Sequence, residues 1–310
     1  KPMRFIFVKE LIKYAKKNKN VYLVTADLGY RAFEEFKKLY PKRFINVGVA
    51  ENNMVGVAAG LALSGKKVFV YSILSFLVFR SLEQIRNNIC HNNLDVTLVG
   101  AGGGFSYGLQ GVSHNTSEDI SVIRSLPNMK VFNPGSKLET LLSLNIAYKS
   151  NRPSLIRLGK CPEIDFYKKD LKLKNGNGLI VTKGKDLTVF CSGNILENVF
   201  KAVEKITNLG FSVKLISLPI IKPINPNFII SNTKTKKVLS IEENSVIGGL
   251  SSILPAIFLS KDKGNIKFKS IALKDIVHNS IGTQDHLKKL NNLDINSISK
   301  KMIKYINEKY

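Results

Sequence analysis

Residues Arg43 to Gly65 read RFINVGVAENNMVGVAAGLALSG. A short apolar run at Phe44-Ile45 passes through Gly48 into a helical pattern of small and apolar residues, Met54 to Leu63. Glu51 and Asn52 stand at the junction. Small residues on a helix let a neighbouring element approach closely. A strand feeding an apolar helix is the repeating unit of a parallel α/β sheet.

The alternation continues on both sides. Upstream lie an amphipathic helix from about Phe5 to Lys17 and the short strand Val21-Tyr22-Leu23-Val24. Downstream, Val68 to Tyr71 and Val96 to Val99 read as buried strands, with helical spacing from Leu74 to Asn88 between them. A strand at Met129 to Phe132, a helix from about Lys137 to Lys149 and a strand at Ser154 to Arg157 follow. The rhythm breaks between Cys161 and Lys185, a charged stretch holding Asn175-Gly176-Asn177-Gly178. It then resumes with strands at Leu187 to Phe190, Phe211 to Ile216, Lys237 to Ile241 and Ile266 to Ile271. Helices fall at Ile195 to Leu209 and Ile295 to Asn307. The pattern predicts an α/β chain of two domains, each a mostly parallel sheet flanked by helices. The boundaries are 1–165, a linker over 166–185, and 186–310.

At 310 residues and 44% hydrophobic, the chain can bury two cores. No apolar run reaches the roughly 18 residues of a membrane span. Lys1 to Leu11 carries charge at both ends and no cleavage pattern, so a cytoplasmic protein is expected. Cys90, Cys161 and Cys191 are far apart and odd in number, which argues against a disulfide framework and a zinc site. Cys90-His91 reads as a helix end, and no metal ligands are assigned. The net charge is +24, but lysines are spread along the chain among many asparagines, without a basic stripe interleaved with aromatics. That distribution reads as lysine-rich codon usage and predicts no nucleic-acid partner. An anionic sugar-phosphate substrate fits the same bias.

Four places could carry chemistry. Glu51 either complements a helix dipole or is a buried carboxylate facing a cofactor. Phe76 and Phe79 share one helical face, as core or as a shelf for a ring. Gly100 to Gly104 follows a strand, where ligands bind in open α/β sheets. It is neither a dinucleotide fingerprint, since Phe105 takes the last glycine's place, nor a P-loop, since no Gly-Lys-Ser/Thr follows. His114 closes the glycine-bracketed loop Gly108-Leu109-Gln110-Gly111-Val112-Ser113-His114.

In this order, these places resemble the transketolase family and its relative deoxyxylulose-phosphate synthase. The resemblance rests on RFINVGVAENNMVGVAAGLALSG, SILSFLVFRSLEQIR, GLQGVSHNTSEDISVIRSLPNMKVFNP and RPSLIRLGK, from about Asp27 to Lys160. LSIEENSVIGGL carries a weaker resemblance to the family's C-terminal domain. It implies a pyrimidine-binding domain, a transketolase C-terminal-like domain and thiamine diphosphate as cofactor. The family's diphosphate-binding domain, with its Gly-Asp-Gly motif, has no counterpart in these residues. The resemblance therefore implies a split enzyme in an α2β2 assembly, whose separate N-terminal subunit mainly holds Mg2+. Glu51 matches the glutamate that hydrogen-bonds the aminopyrimidine ring, activating the cofactor's exocyclic nitrogen as the base that deprotonates the thiazolium carbon. Ile73, Phe76 and Phe79 match the pyrimidine pocket. His114 matches the histidine at the substrate's reacting end. Lys160 matches a phosphate-binding arginine and keeps the charge without the fork. Arg157 lies on the adjoining strand, where alternation directs it elsewhere.

Two positions depart from the family. Gln110 stands where ordinary transketolases have an aspartate that selects the donor hydroxyl, and Gly102 where they have a histidine. Glutamine can hydrogen-bond a hydroxyl but cannot act as a base. The expectation is ketol transfer between sugar-type substrates, with a specialised donor. Alternatives are the beta-type subunit of a 2-oxoacid dehydrogenase, a condensing enzyme like deoxyxylulose-phosphate synthase and, in another class, a non-catalytic basic binding module.

Overall fold

A computed structural model describes residues 3–159, 162, 164, 166–167, 171–262 and 264–309. The strands are β1 Val21–Thr25, β2 Phe44–Asn46, β3 Lys67–Ile73, β4 Val96–Ala101, β5 Lys130–Phe132, β6 Ser154–Leu158, β7 Leu179–Thr182, β8 Leu187–Ser192, β9 Val213–Ser217, β10 Ile220–Lys222, β11 Lys237–Ser245 and β12 Lys267–Leu273. One sheet runs β10-β5-β6-β4-β3-β1-β2, the other β12-β11-β8-β9-β7. All pairings are parallel except β10 with β5 and β7 with β9. The expected α/β architecture of two mostly parallel sheets is therefore what forms.

The central strands of the first sheet are runs of residues buried on both faces, as β3 and β4 show. The helix Met3–Lys17 lays Met3, Phe7, Leu11 and Ala15, four residues apart, against one face of that sheet. Each fully buried Leu or Phe contributes about 1.5–3 kcal/mol. The helix Glu51–Leu63 covers the other face. The core cluster on that side continues into the second half through Phe190, Leu218 and Leu254. In the second half, the helices Leu196–Thr207 and Ile295–Asn307 pack together outside the sheet.

Three details differ from the sequence reading. The expected linker 166–185 contains β7, which pairs antiparallel with β9 at the sheet edge. Three or four apolar residues after an Asn-Gly turn are too short a run to separate strand from loop by periodicity. The strand β10, not foreseen, leaves the second half and pairs with β5, so the first sheet is completed by the second domain. The expected helix from Leu74 to Asn88 is broken. The helix Leu74–Phe79 ends at Arg80, Ser81 leaves helical geometry at φ −123°, and Leu82–Gln84 runs into a π-helical stretch, Ile85–Cys90.

A buried ion pair within the first half also reaches across to the second. Arg157 on β6 is 2% exposed and Asp119 is fully buried. Arg157 Nε donates to Asp119 Oδ2 at 2.8 Å, and Nη2 to Asp119 Oδ1 at 3.2 Å. The same Nη2 reaches the carbonyls of Thr116 and of Glu243 on β11, both at 3.3 Å. Arg157 is thus a structural residue. Asp119→Ala strands the guanidinium in the core. It should cost about 3–5 kcal/mol, read as a lowered midpoint in chemical unfolding.

Glu242, also on β11, accepts from the backbone N–H groups of Leu250 and Ser251, at the start of the helix Leu250–Ser260. Burial pushes its carboxyl up from 4.5 to about 7, against the pull of those hydrogen bonds. The folded state therefore holds the proton more tightly than the unfolded chain. The stability this gives is complete below pH 4.5 and is lost as pH rises through about 7. Relative to Glu242→Gln, the wild type should lose on the order of 3 kcal/mol across that window. Paired unfolding curves at each pH measure it.

Candidate active site

The carboxyl ends of β3 and β4 lie side by side, with Ser72 opposite Gly100 and Ile73 opposite Ala101. From these ends spring the helix Leu74–Phe79 and the glycine-rich loop. This is the edge where an open parallel sheet binds ligands. Ile73, half-buried, ends β3 and begins that helix. Glu51 is the first residue of the helix Glu51–Leu63 and is 3% exposed. A helix N-terminus, with its unpaired N–H groups, favours a carboxylate there.

Glu51, Phe76 and His114 come together. Arg80 Nη1 donates to Glu51 Oε2 at 2.9 Å, and the same guanidinium lies 3.9 Å from the Phe76 ring centre. The rings of Phe76 and His114 meet edge to face at 4.8 Å. Ser113 Oγ is 3.0 Å from His114 Nδ1, and Ser75 Oγ donates to the Ser113 carbonyl at 3.0 Å, tying the loop to the helix that carries Phe76. Phe79 diverges and is 41% exposed.

The loop bearing His114 is closed by reciprocal hydrogen bonds between Gly104 and Thr116, at 3.0 and 3.2 Å. Glu243 accepts the Phe105 N–H at 2.7 Å from the opposite domain. A Cβ on Gly104 would strike that carboxylate, and one on Gly102 would strike the Tyr107 ring. Both glycines have positive φ, +95° at Gly102 and +64° at Gly104. The glycine run is therefore a packed corner rather than a slack loop. Gly102 and exposed Gln110 line a cleft of about 430 Å³ with Arg4, Tyr107, Gly159 and Gln284. The Tyr107 ring is also 6.3 Å from that of His114, which connects cleft and cradle. Lys160 and Cys161 lie outside the described residues. Cys90 is buried, and burial lifts its thiol to about 11, unsuited to nucleophilic work.

Sequence reasoning missed Arg80 and Arg4. Arg80 adjoined a singled-out phenylalanine but was one cation among many. Arg4 precedes the first helix pattern and reaches the cleft only through the fold. Its Nε has no hydrogen-bond partner among the described residues.

Residues 1–161 match the transketolase pyrimidine-binding domain and residues 176–298 the transketolase C-terminal domain. The chain belongs to the transketolase family. A provisionally named transketolase C-terminal section from Methanocaldococcus jannaschii is 34% identical, over 98% of this chain and 96% of that protein. One of the subunits of the apulose-4-phosphate transketolase of Phocaeicola vulgatus is 30% identical, over 88% of each chain. A solved structure described as a split-gene transketolase, an inactive beta4 tetramer, superimposes with a TM-score of 0.90 at 29% identity. It covers 100% of this chain and 99% of that one. The chain is thus a transketolase-type transferase subunit, and family membership implies dependence on thiamine diphosphate. Among the described residues no helix is long and apolar enough to cross a membrane.

The glycine corner is testable. Gly102→Ala should destabilise the chain by about 1–3 kcal/mol through its positive φ and the Tyr107 contact. Gly56, in the helix behind Glu51, has open space where a Cβ would stand, with nothing within 4 Å. Gly56→Ala should stabilise by about 0.5–1 kcal/mol. Thermal unfolding of both variants separates the two signs.

Proposed function

We propose that this chain is the C-terminal subunit of a two-chain transketolase that moves a ketol unit between small sugar or sugar-phosphate substrates. The observation that carries the proposal is the cradle itself: a carboxylate shielded from water, an aromatic face and a histidine edge, linked in that order through Arg80 and the Phe76 ring. A desolvated carboxylate and a flat apolar face suit an aminopyrimidine ring. When bound, thiamine diphosphate supplies a carbon nucleophile that the side chains lack.

The chain's residues have distinct tasks in this reading. Glu51 holds a proton at the pyrimidine ring nitrogen, and its burial strengthens that contact. Phe76 and Ile73 set the ring's plane, and Phe79 forms the outer rim. His114 faces the reacting end of the substrate, within hydrogen-bonding reach of Ser113, and transfers or steadies a proton there. Gln110 orients a substrate hydroxyl without acting as base. At Gly102 the Tyr107 ring takes the place a side chain would fill, so the chain presents no histidine to the donor there, in keeping with a specialised sugar. Arg4 offers a fork to a phosphate in the cleft, and Lys160 is proposed as a second cation.

The diphosphate and Mg2+ are assigned to a separate N-terminal subunit, with two copies of each chain in a cytoplasmic assembly. The domain division follows the sequence reading, with β7 counted in the second domain.

The test is calorimetric titration of thiamine diphosphate with magnesium into the chain alone and into its mixture with the adjacent-gene product. Binding should occur in the mixture and be lost on Glu51→Gln or Phe76→Ala. Ketol-transfer kcat should fall about 10²–10⁴-fold in Glu51→Gln. Full binding by both variants would refute the assignment.

A further inference from the structure

Arg80 bridges Glu51 and Phe76, the two residues to which the proposed function assigns the pyrimidine ring. Its guanidinium covers the Phe76 ring at 3.9 Å while donating to Glu51 Oε2 at 2.9 Å. Among the described residues this is the only side-chain hydrogen bond to the Glu51 carboxylate. A guanidinium is planar and stacks on aromatic faces much as a heteroaromatic ring does. One flat cation thus meets both partners of one flat ring, and a second ring cannot lie on the same face beside the same oxygen.

The exposures give the arrangement a direction. Glu51 is 3% exposed and the Arg80 side chain 49%. Arg80 lies on the solvent side of the carboxylate, at the break that ends the helix Leu74–Phe79. Ser81 has already left helical geometry at φ −123°. The side chain can therefore swing into solvent without disturbing a helix interior. Only the guanidinium is half-exposed: water can rehydrate it as it leaves, and its cation–π contact at such exposure is weak. The cover is thus displaceable and sets a modest threshold.

We infer that Arg80 is a latch on the pyrimidine cradle: it fills the site of the isolated chain and is displaced when the aminopyrimidine enters. The inference rests on the proposed roles of Glu51 and Phe76. The same contacts pair the buried carboxylate and cover one face of the Phe76 ring.

The probe is the neutral aminopyrimidine fragment of the cofactor, 4-amino-5-hydroxymethyl-2-methylpyrimidine. Its neutrality removes long-range attraction or repulsion by Arg80. NMR titration of the full chain compares wild type, Arg80→Met, which keeps the apolar stem, and Arg80→Lys, which keeps the charge but not the plane. Arg80→Met should bind about tenfold more tightly. Arg80→Lys should fall between. Wild-type affinity should rise as salt approaches ~0.5 M, because screening loosens the ion pair, while Arg80→Met stays flat. A purely structural Arg80 would show no such salt difference.

Unchanged, weaker or undetectable binding by Arg80→Met overturns the latch. Glu51→Gln and Phe76→Ala, placed in the Arg80→Met background, separate this from failure of the underlying reading. If both leave the fragment's affinity unchanged, the pyrimidine site lies elsewhere and both proposals fall. If they abolish binding while Arg80→Met merely fails to tighten it, only the latch falls.

Discussion

The buried pair of Arg157 and Asp119, with the bond that the same guanidinium makes to the Glu243 carbonyl, ties the candidate site's loop to the second half of the molecule. Desolvating two charges costs several kcal/mol per ion, and only good geometry with full hydrogen bonding offsets it. Both oxygens of Asp119 receive Arg157, and Thr116 Oγ1 adds a bond to Oδ1 at 2.6 Å. The guanidinium also reaches the Thr116 and Glu243 carbonyls. One side chain on β6 therefore fixes the end of the His114 loop, the start of the helix Asp119–Ser125 and the strand β11 of the other domain. Glu243 in turn holds the Phe105 N–H at the loop's beginning. From the second domain, Glu243 holds the beginning of the loop that carries His114 and Gln110, and the Ser245 N–H donates to the Ser117 carbonyl just past its end at 2.6 Å.

That dependence makes the second domain part of the candidate site's framework. It supplies β10 to the first sheet and Glu243 to the glycine corner, while Gln284 and Gly282 wall the cleft. In the segments that carry Glu51, Phe76 and His114, the side chains of Val49, Phe79, Leu109 and Val112 are exposed by 41–75%. Apolar side chains gathered at a site, rather than scattered singly, mark a surface made to be covered. The composite site proposed above, completed by another subunit, would account for them.

Most of the fold was legible because parallel strands buried on both faces are written as continuous apolar runs, such as Val68 to Tyr71 and Val96 to Val99. The candidate site's position was read on the same ground, since Glu51 sits where such a run gives way to a helix of small residues. The short antiparallel strands β7 and β10 were not, because their pairing is decided by a sheet edge formed elsewhere in the chain. Nor was the break at Arg80 and Ser81, where apolar spacing persists through residues whose backbone departs from the helix. Glu243 reaches Phe105 across 138 positions, and no local pattern encodes such a contact.

The distribution of cations adds a last physical point. Only eight of the 47 basic residues are arginine, and all eight lie between Arg4 and Arg157. Lysine is a strongly hydrated point charge and suits a solvated surface; arginine's planar fork suits bidentate and stacked contacts in confined places. Several arginines here do such work. Arg157 forks onto Asp119, Arg80 spans Glu51 and Phe76, and Arg43 donates to two carbonyls while stacked on Tyr40. Arg124 donates to the Gly248 carbonyl across the domain boundary. The large positive charge is thus two populations, a solvated lysine surface and a small set of placed guanidinium groups. Arg4, facing the cleft with its Nε unpaired among the described residues, belongs to the second set. That placement, rather than the net charge, is the better guide to where an anionic substrate would sit.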